Sequence, residues 1–117
     1  MATNEISKSV SETKKTPKLS IQCKSIGHNS TTIRSLDWDR NRFDIEFGLR
    51  NGTSYNSFII KSKKTALVDT SHLKFANKWF QEIEKIINPQ EIDYLIVSHT
   101  EPDHSGLIGG LLDKNPK

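Results

Sequence analysis

Residues 98–106, "SHTEPDHSG", place four side chains that can bind a metal ion within a short stretch: His99, Glu101, Asp103 and His104. Imidazole nitrogens and carboxylate oxygens without a thiolate suit iron or manganese, and zinc would prefer more nitrogen or sulfur ligands. The cluster therefore indicates a metal loop. The alternative interpretation is a solvated acidic loop, because charged loops are common on protein surfaces.

Pro102 restricts the backbone of the loop and therefore the arrangement of these donors. Proline disfavours a helical conformation in the preceding residue, so the loop is predicted to be extended, with His99, Glu101 and Asp103 on one side. The preceding run "IDYLIVS" is predicted to be a strand buried on both faces, and open α/β sheets bind ligands at such strand ends. We expect His99 and Glu101 to share one ion and Asp103 to begin a second site.

The pattern of the segment before the loop predicts strands followed by a helix. Alternating apolar residues over 43–49, the turn pair Asn51-Gly52 and the β-rich "TSYNSFIIKS" predict a hairpin. Lys63-Lys64 is predicted to form the next turn, and "TALVDT" a third short strand.

Apolar residues at helical spacing predict one amphipathic helix over residues 72–87. Ser71 or Thr70 is expected to cap its start, and Asn88-Pro89 to end it. Ser105 is expected to cap a second helix, "SGLIGGLLDK". The predicted apolar stripe consists of Leu73, Ala76, Trp79, Phe80, Ile83, Ile86 and Ile87, and large apolar groups of this kind usually lie in a core.

These elements predict an α/β fold with a parallel or mixed sheet and flanking helices. Residues 1–30 are rich in Ser, Thr and Lys and are predicted to be a flexible segment, with the folded domain over residues 31–117. Hydrophobic residues make up 33% of the 117 residues, which is low for a self-contained core, so we expect the first part of a larger domain.

The charge distribution argues against a nucleic-acid partner. The net charge of +3 comes entirely from residues 1–30, and the rest is neutral, with no clustered basic face. No apolar run approaches the roughly 20 residues of a membrane span. Cys23 is the single cysteine, which argues against a disulfide framework. We therefore expect a cytoplasmic protein.

The metal loop carries a resemblance to a known family. "SHTEPDHSG" resembles the loop of the metallo-β-lactamase fold, whose hydrolases usually carry His-x-His-x-Asp-His, and a Glu in the middle position, here Glu101, is typical of flavodiiron proteins. The run "LDWDRNRFDIEFGLRNGTSYNSFIIKSKKTALVDTS" is also similar to the cyanobacterial type that adds a flavin reductase module. The resemblance implies part of a metallo-β-lactamase-like αββα fold, incomplete in this chain.

The resemblance also implies roles for individual residues. His99, Glu101 and Asp103 match iron ligands, and His104 matches a second His that often stands beside the metals, so it is a candidate ligand. Asp69 matches the acidic residue that supports the metal loop from beneath; from the residues alone, a helix N-terminal acid is an equal alternative. His28 and His72 match no ligand position and are predicted to be surface or capping residues.

The implied activity is reduction of dioxygen to water, or of nitric oxide to nitrous oxide, at two iron ions. Electrons would come from NAD(P)H through FMN, in a homo- or hetero-dimer. The remaining iron ligands and the flavin modules of the family are not among these 117 residues, so we expect the chain alone to be inactive. The alternatives are a hydrolase of the same fold and a non-catalytic truncated remnant.

Overall fold

The computed structural model describes residues 19–40, 42–44, 47–48 and 52–116. Within these residues the strands are β1 Leu19–Gly27, β2 Ser30–Asp37, β3 Arg42–Asp44, β4 Phe47–Gly48, β5 Thr53–Lys61, β6 Thr65–Val68 and β7 Tyr94–Ile96. The helices are α1 Ala76–Ile86, α2 Pro102–Ser105 and α3 Ile108–Lys114, and 3₁₀ turns lie at Leu73–Phe75 and Pro89–Glu91.

Five of the strands form one mixed sheet in the order β1-β2-β5-β6-β7. Neighbours from β1 to β6 are antiparallel, whereas β6 and β7 are parallel and are connected through α1. A parallel pair needs a crossover of this kind, because the chain must return to the same end of the sheet. The predicted mixed sheet with flanking helices is confirmed, as are the turn at Lys63-Lys64 and the strand after it.

The core lies between α1 and one face of the sheet. Trp79 and Ile83 of α1 are fully buried with Ile33, Ile59 and Leu67 of the strands. The polar edge of Trp79 is also satisfied, because its Nε1 donates to the Ser57 hydroxyl at 3.0 Å. A buried indole normally requires such a partner. The prediction that Trp79 belongs to the core is confirmed.

Part of the segment that was predicted to be flexible forms strand β1. Leu19–Gly27 pairs with β2 over almost its whole length, so residues 19–27 belong to the folded sheet and the prediction is wrong for them. Leu19 and Ile21 pack against the core, whereas the other β1 side chains are exposed, so the apolar alternation of this strand is too short to predict it. Residues 1–18 lie outside the described residues.

The predicted hairpin is also wrong in its pairing. Strand β5 pairs with β2 on one side and β6 on the other, while β3 pairs with β4 in a separate two-stranded sheet. Gly52 does adopt a positive φ of 74°, and a Cβ there would lie 2.0 Å from the Asp37 carbonyl oxygen. A glycine is therefore required where this chain approaches the end of β2. Asn51 and part of the 43–49 run lie outside the described residues.

The predicted helix over 72–87 is confirmed as a 3₁₀ turn followed by α1, which ends before Asn88. His72 caps it, since its Nδ1 accepts from the Lys74 N–H at 3.2 Å, so the prediction of Ser71 or Thr70 as the cap is wrong. Leu73 is 66% exposed because it sits in the 3₁₀ turn, outside the periodicity of α1, and it does not join the predicted stripe.

Strand β7 is not buried on both faces as predicted. It has a neighbour on one side in the described sheet, and Tyr94 and Ile96 are 55% and 49% exposed. Leu95, between them, packs against the core. No helix among the described residues has the length and apolar character needed to cross a membrane.

Candidate metal centre

The loop of residues 98–106 follows β7 and includes the short helix α2, and α3 begins two residues after it. Glu101 is extended, with φ −66° and ψ 155°, as Pro102 predicts. However, Pro102 itself begins α2, because its fixed φ and missing N–H suit the first turn of a helix. Asp103 therefore lies on a helical turn, and the expected extended arrangement of His99, Glu101 and Asp103 on one side is wrong.

The four donors lie together as two pairs. His99 Nε2 is 3.1 Å from Glu101 Oε1, and His104 Nε2 is 3.7 Å from Asp103 Oδ2. The rings of His99 and His104 connect the pairs, with centroids 5.3 Å apart. Within the described part of the chain, no three His, Cys, Asp or Glu side chains converge closely enough to hold a metal ion.

The two pairs differ in exposure. The side chains of His99 and Glu101 are 54% and 58% exposed, whereas those of Asp103 and His104 are 9% and 31% exposed. The chemistry of the donor set fits iron, since it consists of imidazole and carboxylate groups. The ligand roles predicted for these residues stay predictions.

Asp69 connects the end of β6 to this loop. Its carboxylate accepts from the Ser98 N–H at 2.8 Å and from the Ser98 hydroxyl, and it lies 3.1 Å from His104 Nδ1. Its own N–H donates to the Ile96 carbonyl at 2.8 Å. Asp69 has a positive φ of 61°, which is uncommon outside glycine but tolerated by Asp. The carboxylate thus bonds to the loop, and the role of supporting iron ligands stays a prediction.

The ionisation of Asp69 determines the tautomer of His104. Burial raises the pKa of Asp69, but hydrogen bonds from the Ser98 hydroxyl, the Ser98 N–H and His104 outweigh burial and lower the pKa below its ordinary value. An ionised carboxylate can only accept hydrogen bonds, so Nδ1 of His104 must carry the proton. In the neutral ring, Nε2 is then an acceptor on the side that faces Asp103.

A second cluster of charged side chains lies at the end of β2, and sequence analysis missed it. Asp37 is fully buried and accepts from the Tyr55 hydroxyl at 2.7 Å, while Lys74 forms an ion pair with the same oxygen, Oδ2. Arg40 Nη1 donates to the Tyr55 hydroxyl at 3.0 Å. Among the described residues, Asp37 Oδ1 has no hydrogen-bond partner.

The contacts in this cluster shift the pKa of Tyr55, and His72 lies beside it. Burial, together with the hydrogen bond to Asp37, raises the pKa of Tyr55 to about 12. The His72 ring stacks on Tyr55, with centroids 5.9 Å apart. These residues are too far apart in sequence for any spacing rule to connect them, so pairing of the strands was needed to reveal the cluster.

His28 is exposed, as predicted.

Three comparisons with known proteins bear on this site. A sequence profile described as ODP family beta lactamase matches residues 53–117. The chain is 56% identical over 107 residues to a protein named putative diflavin flavoprotein A 1 from Thermosynechococcus vestitus, covering 92% of this chain and 19% of that protein. It is 38% identical over 92 residues to a protein named anaerobic nitric oxide reductase flavorubredoxin from Aliivibrio fischeri, covering 78% and 18%.

The fold agrees with these sequence relatives. A mutant of the flavo di-iron protein from Thermotoga maritima superimposes with a TM-score of 0.77 at 28% identity, covering 82% of this chain and 25% of that one. The predicted metallo-β-lactamase-like fold is therefore confirmed, and the chain spans about a fifth of the length of the curated relatives it matches. The profile, the relatives and the fold agree: the chain belongs to the flavodiiron proteins of the diflavin flavoprotein type.

Proposed function

We propose that this chain supplies part of a non-haem diiron centre in a flavodiiron oxidoreductase that reduces dioxygen to water. The observation that supports this proposal best is the adjacency of His99–Glu101 and Asp103–His104 at the end of β7. Nitric oxide is the second candidate substrate, because one relative carries the name nitric oxide reductase.

In this proposal His99, Glu101 and Asp103 hold iron. His104 is the further candidate ligand, through Nε2, because Asp69 faces its Nδ1. A histidine that binds a metal commonly donates its other ring N–H to a carboxylate, which orients the ring and raises its basicity. Asp69 therefore acts as a positioning residue, since it fixes both the ring of His104 and the start of the loop at Ser98.

The paired irons would supply the electrons for reduction of the substrate, with FMN and NAD(P)H as their source. This chain contributes the geometry of the donors: two open ones that a metal can reach and two that are held against the sheet. The whole reaction requires further ligands and the flavin-binding regions, and we place it in a cytoplasmic homo- or hetero-dimer of the longer protein.

Two other functions follow from the same fold. A metallo-β-lactamase-fold hydrolase would carry His where this chain has Glu101, and it would use zinc. A non-catalytic truncated remnant would keep the fold without a need for metal. Metal binding separates these possibilities, because the diiron proposal requires Glu101 to contribute to Fe²⁺ affinity.

The test is anaerobic titration of the 117-residue chain with Fe²⁺ and Zn²⁺, for wild type, Glu101→His and Glu101→Gln. Zn²⁺ generally binds more tightly than Fe²⁺, so the ratio of the two affinities is the informative quantity. We expect Glu101→His to shift this ratio toward Zn²⁺ and Glu101→Gln to weaken Fe²⁺ binding. Glu84→Gln is the control, because Glu84 is a half-exposed carboxylate that pairs with Lys114 on another face.

Each outcome favours one function. Fe²⁺ binding that does not depend on Glu101 would contradict the diiron proposal, and no metal binding at all would favour the remnant. With NADPH and FMN we expect the chain alone to consume no oxygen above the free-flavin background. Sustained oxygen consumption would contradict the expectation that the chain is inactive without the rest of the protein.

A further inference from the structure

Thr70 holds the backbone of the metal loop at His104. Thr70 is fully buried directly after Asp69. Its N–H donates to the His104 carbonyl at 2.8 Å, and its hydroxyl donates to the same oxygen at 2.7 Å. The hydroxyl oxygen also accepts from the Leu107 N–H at 3.2 Å. One side chain thus satisfies a carbonyl in α2 and an amide before α3, groups that a short helix leaves without internal partners.

The segment that carries Thr70 is itself fixed to the sheet. Ser71 is fully buried, and its hydroxyl donates to the Ser35 hydroxyl at 2.9 Å. On the loop side, Gly106 packs so closely that a Cβ would lie 2.7 Å from the Ser71 carbonyl oxygen. The position of the loop relative to β6 is therefore determined by direct backbone contact.

His104 is consequently attached at two places by two consecutive residues. Asp69 contacts its ring at Nδ1, and Thr70 holds its carbonyl. The ring contact is already 3.1 Å long, so a backbone shift of about half an ångström would weaken it sharply. The direction of Nε2, which faces Asp103, depends on both attachments.

We infer that Thr70 is a positioning residue of the metal loop, which sets the orientation of the His104 imidazole through the His104 backbone. This inference rests on the proposed function and adds to it a residue outside the set of candidate metal donors, which bonds to the backbone of the loop. The hydroxyl is required both as a donor and as an acceptor. A valine of the same shape would leave the Leu107 N–H unpaired and the His104 carbonyl with one donor.

The experiment compares Thr70→Val, Thr70→Ser and wild type in the 117-residue chain. The imidazole ¹⁵N signals of His104 are recorded without metal, at a pH well above the ordinary imidazole pKa. In wild type we expect the Nδ1-protonated tautomer, in Thr70→Val a mixture of tautomers, and in Thr70→Ser the wild-type pattern. Thr32→Val is the matched control, since Thr32 is also buried and its hydroxyl donates to a backbone carbonyl, that of Ser57, away from the loop.

Titration with Co²⁺, monitored by its visible absorption bands, gives the second readout. We expect Thr70→Val to bind Co²⁺ about 10- to 100-fold more weakly than wild type, the usual effect of losing a group that orients a metal ligand. Thr70→Ser and Thr32→Val should bind as wild type does. If the valine variant does not fold, Thr70→Ala replaces it as the variant without a hydroxyl.

The two readouts distinguish this inference from the proposed function. Unchanged His104 signals in a folded variant without the hydroxyl would overturn the inference, whatever the Co²⁺ affinity. A tautomer change that serine reverses would support it. Absence of Co²⁺ binding to wild type would count against the proposed metal site itself, while the ¹⁵N signals would still report on the positioning of His104.

Discussion

The two halves of the metal loop are built differently. The open segment, residues 99–101, exposes the side chains of His99 and Glu101, whose ion-pair contact is with each other. The anchored segment, residues 103–107, is fixed to the end of β6 through Asp69 and Thr70, and Leu107 is buried in the core. Both segments carry one imidazole and one carboxylate.

This difference indicates what each segment contributes. An exposed ion pair adds little to stability, with a typical value of about 0–1 kcal/mol, so folding alone gives no reason for His99 and Glu101. The anchored segment contributes hydrogen bonds and a buried side chain to the fold, and it also carries two of the candidate donors. Substitutions in the two segments should therefore separate effects on folding from effects on metal binding.

The largest loss of stability is expected for Asp69→Ala. The change leaves the Ser98 N–H and His104 Nδ1 without their acceptor and places alanine at a positive φ. We expect the free energy of unfolding to fall by about 3 kcal/mol, measured by urea denaturation. Asp69→Asn should lose less, because asparagine tolerates this backbone conformation and keeps one oxygen acceptor. An unchanged free energy of unfolding in Asp69→Ala would show that the segment is not anchored there.

Gly106→Ala should lower the free energy of unfolding by about 2 kcal/mol, because a Cβ would meet the backbone of Pro102, Ser71 and Leu73 at 2.6–2.9 Å. Gly109 in α3 is the matched control, because a Cβ added there would have no neighbouring atom within 4 Å among the described residues. Gly109→Ala should stabilise the chain by about 0.5–1 kcal/mol through the better helix propensity of alanine. Equal effects of the two changes would contradict close packing of the anchored segment.

The substitution Asp37→Asn tests whether a buried carboxylate outside the loop also contributes to the stability of the fold. Burial raises the pKa of Asp37, but hydrogen bonds from Lys74 and Tyr55 outweigh burial and lower it. A lowered folded-state pKa means that the ionised group stabilises the fold above about pH 4 and that this contribution is lost as the pH falls through the folded-state pKa. On acidification, wild type should lose more free energy of unfolding than Asp37→Asn in urea titrations. Parallel curves would show that Asp37 does not contribute in this way.

The smallest effects on stability are expected in the open segment. His99→Ala and Glu101→Gln should each change the free energy of unfolding of the metal-free chain by less than about 0.5 kcal/mol, because both side chains are more than half exposed. The same two variants should bind Fe²⁺ more weakly than wild type in anaerobic titrations. A large loss of stability in either metal-free variant would contradict the view that only the anchored segment contributes to folding.

Local patterns predicted much of the fold. The periodicity over 72–87 predicted the helix, Asn88-Pro89 its end, and "TALVDT" the strand before it, because these depend on contacts between residues close in sequence. The pairing of β5 was wrong, since a turn signal such as Asn51-Gly52 carries no information about a partner strand further away. Strand β1 was missed because only Leu19 and Ile21 alternate toward the core, and the rest of the strand is exposed.

The candidate site rests on local patterns of the same kind, and the ligand roles of its residues stay predictions. The types and the spacing of His99, Glu101, Asp103 and His104 identified the loop. Their arrangement could not be predicted, because Pro102 is compatible both with an extended chain and with the first turn of a helix, and here it begins α2. Ser105 illustrates the consequence: it ends α2 and donates to the carbonyls of Thr100 and Glu101, so the prediction that it caps the next helix is wrong.

The sequence by itself determined which donor types the loop offers, and therefore which chemistry is proposed, because the donors and the Glu at position 101 are close together in sequence. The tertiary structure decided which donors are held and which are open. That division depends on hydrogen bonds that Asp69 accepts from Ser98 and that Thr70 donates to His104, 29 and 34 residues further along the chain. Such contacts form only when β6 and β7 pair side by side and bring the two strand ends together.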